Sequence, residues 1–340
     1  MKKITIKDIA KETGVSISTV SNVLNNRPNK ASQQTKDRIK AVVAKYNYSL
    51  NLNARSMVTK ESGMIAVLYY TEKKEVDFSD PFLSDILTGV ELTSKAHHKF
   101  ILVHGFSEIK DIRSIQQNWS FDGYIVIGAI QSIHNQLDEI LTAPVVFIDT
   151  YTKQRKTSSK YSRFYIHSND FEISYFATKY LIEKGHQDIA VFSPTLGKDS
   201  MGVIHERFTG YSRALEQSGI NIQENLFYDE TEFKRVIKDA DKYTAVLANS
   251  DFLAGKLLSL WKQNNIEHKS IIGFDNSFFS EYLDPQLTTV DLEQKQKGIK
   301  AVEVLCGTSG TSEIITKKYF IQGKLIERNS VEIFYSSKKE

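Results

Sequence analysis

The chain has 340 residues, more than one compact domain usually holds, with 41% hydrophobic and 25% charged side chains. No apolar run approaches the roughly 18 residues of a membrane span, and residues 1–8 lack the apolar stretch of a secretory signal, so a cytoplasmic protein is expected. One cysteine, Cys306, excludes an internal disulfide and any Cys-x-x-Cys metal or redox site.

Charge is unevenly spread. Residues 1–60 hold twelve Lys/Arg and three Asp/Glu, while the other 280 hold 32 basic and 38 acidic side chains. A basic head on an acidic body points to a polyanion-binding module joined to something else. Charge alone fits a solvated basic face without a partner equally well, so patterning decides. Thr5 can cap a helix over 6–13 with Asp8 near its positive end, and Gly14 can supply a left-handed exit. Ser16 can cap a second helix over 17–24. A third runs from a Ser32 cap to about Tyr46, with Ile39, Val42, Val43 and Tyr46 on one stripe. Two short helices about a glycine turn, braced by a third, make a helix-turn-helix domain. On the second helix Val20, Val23 and Leu24 face inward, and Ile17, Ser18, Ser21, Asn22 and Asn25 face outward. That outer face is a poor choice for helix stability but suits base edges in a major groove; a docking domain without nucleic acid is the weaker reading.

The runs Thr5-Ile6-Lys7-Asp8-Ile9-Ala10, Gly14-Val15-Ser16, Thr19-Val20-Ser21, Val23-Leu24-Asn25 and Asn51…Ala54-Arg55-Ser56 resemble the head of the LacI/GalR family of bacterial repressors. The resemblance implies a DNA-binding domain over 1–50 in which Ile17, Ser18 and Asn22 read bases. Thr5, Ser16, Thr19, Ser21, Asn25 and Ser32 would then contact or support the phosphate backbone. It implies a hinge helix or linker over 51–60, with Ala54, Arg55 and Met57 at the minor groove and Met57 where the family wedges a leucine. Asn22 stands where the family usually carries arginine.

Beyond Lys60 short apolar runs recur at 64–70, 100–103, 124–127 and 145–148, then at 189–192, 245–248 and 271–274. Helical segments at 83–96, 173–183 and 252–264 separate them. Such alternation predicts doubly wound parallel sheets covered on both faces, and two series predict two lobes. No nucleotide-binding or nucleophile-elbow motif is present. The stretch Gly307-Thr308-Ser309-Gly310 reads as a surface loop, and His97-His98 as surface rather than a metal site, so no cofactor or metal is expected. Polar residues stand at expected strand ends: Asp149, Asn249 and Asp275, with Arg207 and Phe82 opening helices. Singly they read as turn-formers, caps or core; together they have the composition of a sugar site.

The resemblance continues through Ser79-Asp80-Pro81-Phe82, Asp122-Gly123, Gly185-His186, Arg207…Gly210-Tyr211, Gly273-Phe274-Asp275 and Leu287-Thr288-Thr289-Val290. It implies a periplasmic-binding-protein-like core over 61–340, which binds effector and dimerises. Lobe 1 would take about 62–163 and 292–322, and lobe 2 about 164–291 and 323–336. Phe82, Asp149, Arg207, Asn249 and Asp275 match the family's effector positions. Three places depart from its pattern: Asn249-Ser250 has Asp251 one step late, Ser168 precedes Asn169, and the stretch around Tyr228-Asp229-Glu230 is shortened. The expectation is a repressor without enzymatic activity, working as a homodimer on a palindromic operator under a small sugar-like effector. With 12 residues after Arg328, no tetramerising heptad helix is expected. A transporter-feeding solute-binding protein would need a signal peptide and has no use for residues 1–60; an enzyme would need a catalytic constellation.

Overall fold

The computed structural model describes residues 4–24, 31–46, 48, 61–72, 77–152, 159–194, 202–267, 269–308 and 313–335. The chain divides into two compact units, Met1–Gly63 and Met64–Glu340.

In the first unit α1 (Ile6–Thr13), α2 (Ile17–Leu24) and α3 (Gln33–Lys45) pack against one another. Each start is set by a hydroxyl. The Thr5 side chain and Asp8 form a reciprocal capping box, the Asp8 carboxylate taking the Thr5 amide at 2.9 Å. Ser16 Oγ accepts the Thr19 amide at 3.1 Å, and Ser32 Oγ that of Thr35 at 3.3 Å. Gly14 turns left-handed at φ 68°. Ile9, Ala10, Val20, Val23 and Ile39 close the core, with Leu24, Val42 and Val43 half-buried around it. Tyr46 departs from the expected stripe. The helix ends at Lys45, so the Tyr46 ring leaves the helical register, is exposed, and sits under the Lys45 ammonium.

The second unit holds two six-stranded sheets. The first joins β1 (Met64–Tyr70), β2 (Phe100–Phe106), β3 (Gly123–Ile127), β4 (Val145–Ile148), β5 (Arg163–Ser168) and β11 (Thr316–Ile321) in the order β11-β5-β4-β3-β1-β2, all parallel. The second joins β6 (Ile189–Ser193), β7 (Phe227–Asp229), β8 (Ala245–Ala248), β9 (Ser270–Phe274), β10 (Thr288–Asp291) and β12 (Lys324–Ile326) in the order β12-β10-β9-β8-β6-β7, with β12 alone antiparallel. Separate apolar clusters fill both faces of each sheet, as parallel strands require. The chain crosses between sheets after β5, after β10 and after β11. The first crossing thus follows Ser168 rather than residue 163: Arg163–Ser168 pairs with β4 and β11 and completes the first lobe.

Helices connect the strands: α4 (Pro81–Ala96), α5 (Ile109–Asn118), α6 (Gln131–Ile140), α7 (Asp170–Glu183), α8 (Val203–Gln217), α9 (Phe233–Lys238), α10 (Asp251–Gln263) and α11 (Gln294–Gly307). Although α11 follows a strand of the second sheet, it packs on α4, β4 and β5 of the first. Two glycines permit this. A Cβ on Gly89 would run into the Lys295 carbonyl, and one on Gly298 into that of Ile86, so α4 and α11 meet backbone to backbone.

Candidate functional site

In the head, the outer face of α2 carries the polar groups expected there. Ile17 and Ser18 are exposed, Ile17 at 45%, while Ser21 and Asn22 are half-buried beside the buried Val20 and Val23. An isoleucine so exposed at a helix start contributes nothing to the head's core. Thr5, Ser16 and Ser32 are the three helix caps, and Ser16 Oγ also meets Ser18 Oγ at 2.7 Å and Thr19 Oγ1 at 2.9 Å. Asn25, Ala54, Arg55 and Met57 lie outside the described residues.

In the core, a cavity of about 1140 Å³ opens between the lobes, and Phe82, Asp149, Arg207, Asn249 and Asp275 all line it. The fold brings them there by one rule: parallel strands end on the same side of their sheet, where the chain turns away. Asp149 follows β4, Asn249 follows β8 and Asp275 follows β9. Asp149 (φ 49°) and Asp275 (φ 109°) are both left-handed, a conformation L-residues rarely adopt, so each strand end turns abruptly at its carboxylate. Phe82 is held by Asp80, which caps α4 and accepts the Phe82 amide at 3.0 Å. Arg207 sits in the second turn of α8 rather than at its start, because the helix begins at Val203.

The charges of the cavity wall are tied in pairs. Arg207 Nε donates to Asp170 Oδ1 at 2.9 Å, and one terminal nitrogen donates to both Asn249 oxygens at 3.0 Å. The guanidinium lies over the Phe274 ring, 4.3 Å from its centre. Asp170 also accepts the Tyr151 hydroxyl at 2.7 Å; burial and then the Asp170 charge hold that phenol well above its ordinary value. Lys297 of α11, which does not itself line the cavity, grips both oxygens of the lining Asp149 at 2.9 and 2.7 Å, with side chains 1% and 5% exposed. Asp275 differs. Its carboxylate takes no hydrogen bond from any described residue, and burial pushes its pKa well up despite the nearby Arg207 and Lys297.

The three departures from the family pattern resolve locally. Asp251 turns away from the cavity: it is fully buried, accepts the Ser277 amide at 2.7 Å and the Thr289 hydroxyl, and burial pushes its pKa up to about 7. Ser168 donates to the Leu292 carbonyl, and Asp170, two positions on, supplies the carboxylate that faces Arg207. Tyr228 is buried in the second lobe's core, while Glu230 reaches the cavity. Lys297, Asp170 and Tyr151 were not identified from sequence. Lys297 lies among four other lysines in 294–318 (Lys295, Lys300, Lys317, Lys318), and only the glycine contact of α11 reveals that it points inward.

Residues 5–51 match the family of bacterial regulatory proteins of the lacI type, and residues 178–331 match the periplasmic-binding-protein-like domain. The chain thus carries a lacI-type head domain and a periplasmic-binding-protein-like core domain, and its relatives are LacI-family transcriptional regulators. It is 28% identical over 343 residues to the HTH-type transcriptional regulator RegA of Clostridium saccharobutylicum, covering 96% of this chain and 98% of that one. It is 28% identical over 346 residues to the HTH-type transcriptional repressor PurR of Vibrio atlanticus, with the same coverage. Among solved structures it is similar to the lac repressor dimer bound to operator and the anti-inducer ONPF (TM-score 0.79, 19% identity, 97% of this chain and 100% of that). The CelR–cellobiose complex is a further fold neighbour (TM-score 0.69, 20% identity, 96% and 99%). Those relatives are transcriptional regulators, and this chain joins a lacI-type head to a periplasmic-binding-protein-like core as they do.

Proposed function

We propose that the protein is a repressor that binds a palindromic operator as a homodimer and is controlled by a small sugar-like effector. In this reading the head spans 1–50, the hinge 51–60 and the core 61–340, and the protein acts in the cytoplasm. Ile17, Ser18 and Asn22 read bases; Thr5, Ser16, Thr19, Ser21, Asn25 and Ser32 engage or support phosphate contacts; Ala54, Arg55 and Met57 serve the minor groove. Phe82, Asp149, Arg207, Asn249 and Asp275 bind the effector. The observation that carries the reading is that these five, spread over nearly two hundred positions, line a single cavity between two lobes. An aromatic face, an amide, a guanidinium with a spare donor and a carboxylate suit a polyhydroxylated ring.

Apolar side chains support the dimer. Leu92 and Phe100 on the first lobe, and Phe278 and Tyr282 on the second, are 53 to 78% exposed. An effector that favours one degree of lobe closure would shift the protein between two states and so change operator affinity. Arg207→Ala and Asp275→Asn are expected to keep operator binding and lose the response to effector, read by fluorescence anisotropy on operator DNA. Loss of DNA binding with no change in effector affinity would overturn the assignment.

A further inference from the structure

We infer that the core cavity takes an effector of at least two linked sugar rings, and that Gln131 and Asn135 of α6 form a second polar subsite for the ring farther from Phe82. The inference rests on the effector reading of this cavity and deepens it by naming the size class of the ligand.

The cavity crosses the full thickness of the first sheet. Phe82 opens α4 and packs with Val146 and Ile148 of β4, whereas α6 buries Ile133 and Leu137 with Val145 and Phe147 of the same strand. Successive residues of a strand point to opposite faces, so α4 and α6 cover opposite faces of that sheet. In the second sheet α10 packs with Val246 and Ala248, and α8 with Ala245 and Leu247, again on opposite faces. Tyr151 shows which faces meet. Its hydroxyl donates to Asp170, the partner of Arg207 on the α8 side. Its ring lies 4.5 Å from that of His167, which stacks on Tyr165 of the α6 side. The α6 side of one lobe therefore faces the α8 side of the other, and Phe82 shares its end with Phe252 of α10. Phe82, Phe252, Gln131 and Asn135 nevertheless all line the one cavity of about 1140 Å³. Helices on opposite faces of a sheet stand at least a helix diameter apart, about 10–12 Å. Two linked rings bridge that distance and one does not.

Each end has its own chemistry. Phe82 and Phe252 offer aromatic faces, the second 65% exposed. At the other end Gln131 Nε2 donates to Asn135 Oδ1 at 2.8 Å, one helical turn away. That bond fixes the planes of two half-buried amides, whose further donor and acceptor atoms complement adjacent hydroxyls. Ile133, His134 and Leu137 hold the opposite side of the helix against the sheet, which leaves Gln131 and Asn135 to the cavity.

The test titrates the full-length protein by calorimetry and thermal shift with two sets of sugars. Glucose, galactose, fructose and ribose make the one-ring set; maltose, cellobiose, lactose, sucrose and maltotriose make the longer set. The tightest ligand is expected in the longer set, binding roughly tenfold or more tighter than any single ring. Replacing both amides, Gln131→Ala with Asn135→Ala, should remove about that factor from the longer sugar and leave single-ring binding unchanged. A single-ring sugar that binds as tightly as any longer one would overturn the inference. So would a folded double variant that keeps the full affinity for the longer sugar. If the double variant does not fold, the wild-type ratio still decides. A protein that binds neither set would end the sugar reading of the cavity as well, a result distinct from binding single rings alone.

Discussion

In the head, Thr5 and Asp8 pair across three residues, and Ser16 and Ser32 each cap an amide three residues away. In the core, Arg207 reaches 37 residues to Asp170 and 42 to Asn249, and Lys297 reaches back 148 to Asp149. The head's polar groups are exposed and locally satisfied, so each contributes modestly and water is always an alternative partner. The core's are withdrawn from water and satisfied only by distant residues, so removing one strands the other. The same chemical groups therefore have very different leverage in the two units.

Lys297→Met is expected to break the contrast most severely, because it leaves Asp149 buried without its counter-charge. Loss of one partner from such a pair costs about 3–5 kcal/mol. Tryptophan fluorescence during urea unfolding measures it, since Trp119 and Trp261, the only two tryptophans, both lie in the core. A cost near zero would mean that solvent reaches the pair.

Acidity sharpens the comparison next. Burial pushes His167 down to about 4, and its Nδ1 has no hydrogen-bond partner among the described residues. The folded state therefore keeps the imidazole neutral while the unfolded state takes a proton below about 6.5, so His167 withdraws stability as pH falls from 6.5 to 4. The shift amounts to about 3 kcal/mol. Asp251 acts oppositely: its folded pKa of about 7 lies above the usual carboxylate value, so its contribution is present at low pH and lost as pH rises through 7. The two largely cancel in the wild type. His167→Phe should unmask Asp251, gaining about 3 kcal/mol relative to wild type between pH 7 and 4. An unchanged difference across that range would show that His167 titrates normally in the fold.

Operator specificity comes third. Asparagine offers one donor and one acceptor, matching adenine N6 and N7, whereas arginine forks onto guanine O6 and N7. Asn22→Arg is expected to move the preferred base from A·T to G·C by about 1–3 kcal/mol, read by selection from a randomised palindrome library. Identical consensus sequences would show that residue 22 reads no base. The smallest effect belongs to Thr5→Ala, which should cost the head about 1 kcal/mol and speed amide exchange in α1 while leaving core fluorescence unfolding unchanged.

The same distinction governs what could be read in the sequence. Caps, glycine exit and helix face in the head are all fixed within a few residues, so pattern alone placed them; Tyr46 failed because a helix end is set by backbone geometry. In the core most buried strands announced themselves as apolar runs, but the buried β5 and β10 did not, because Arg163, His167 and Ser168, and Thr288 and Thr289, interrupt them. The edge strand Thr316–Ile321 did not, since Lys317 and Lys318 break its run and one of its sides faces solvent. Strand-end residues such as Asp149 could be listed as candidates. Their partners could not: which lysine meets Asp149 depends on the tertiary approach of α4 and α11 through Gly89 and Gly298.

The strand order also governs how the protein is made. β5 and its neighbour β11 are separated by about 150 residues, which a ribosome adds in roughly 8–30 s. Throughout that interval the head and the second sheet's parallel strands can form, but the first sheet lacks both its outer strand and the α11 cover. Its open β5 edge is the aggregation-prone surface of the nascent chain, and the segment Gln294–Ile321 is the one that seals it.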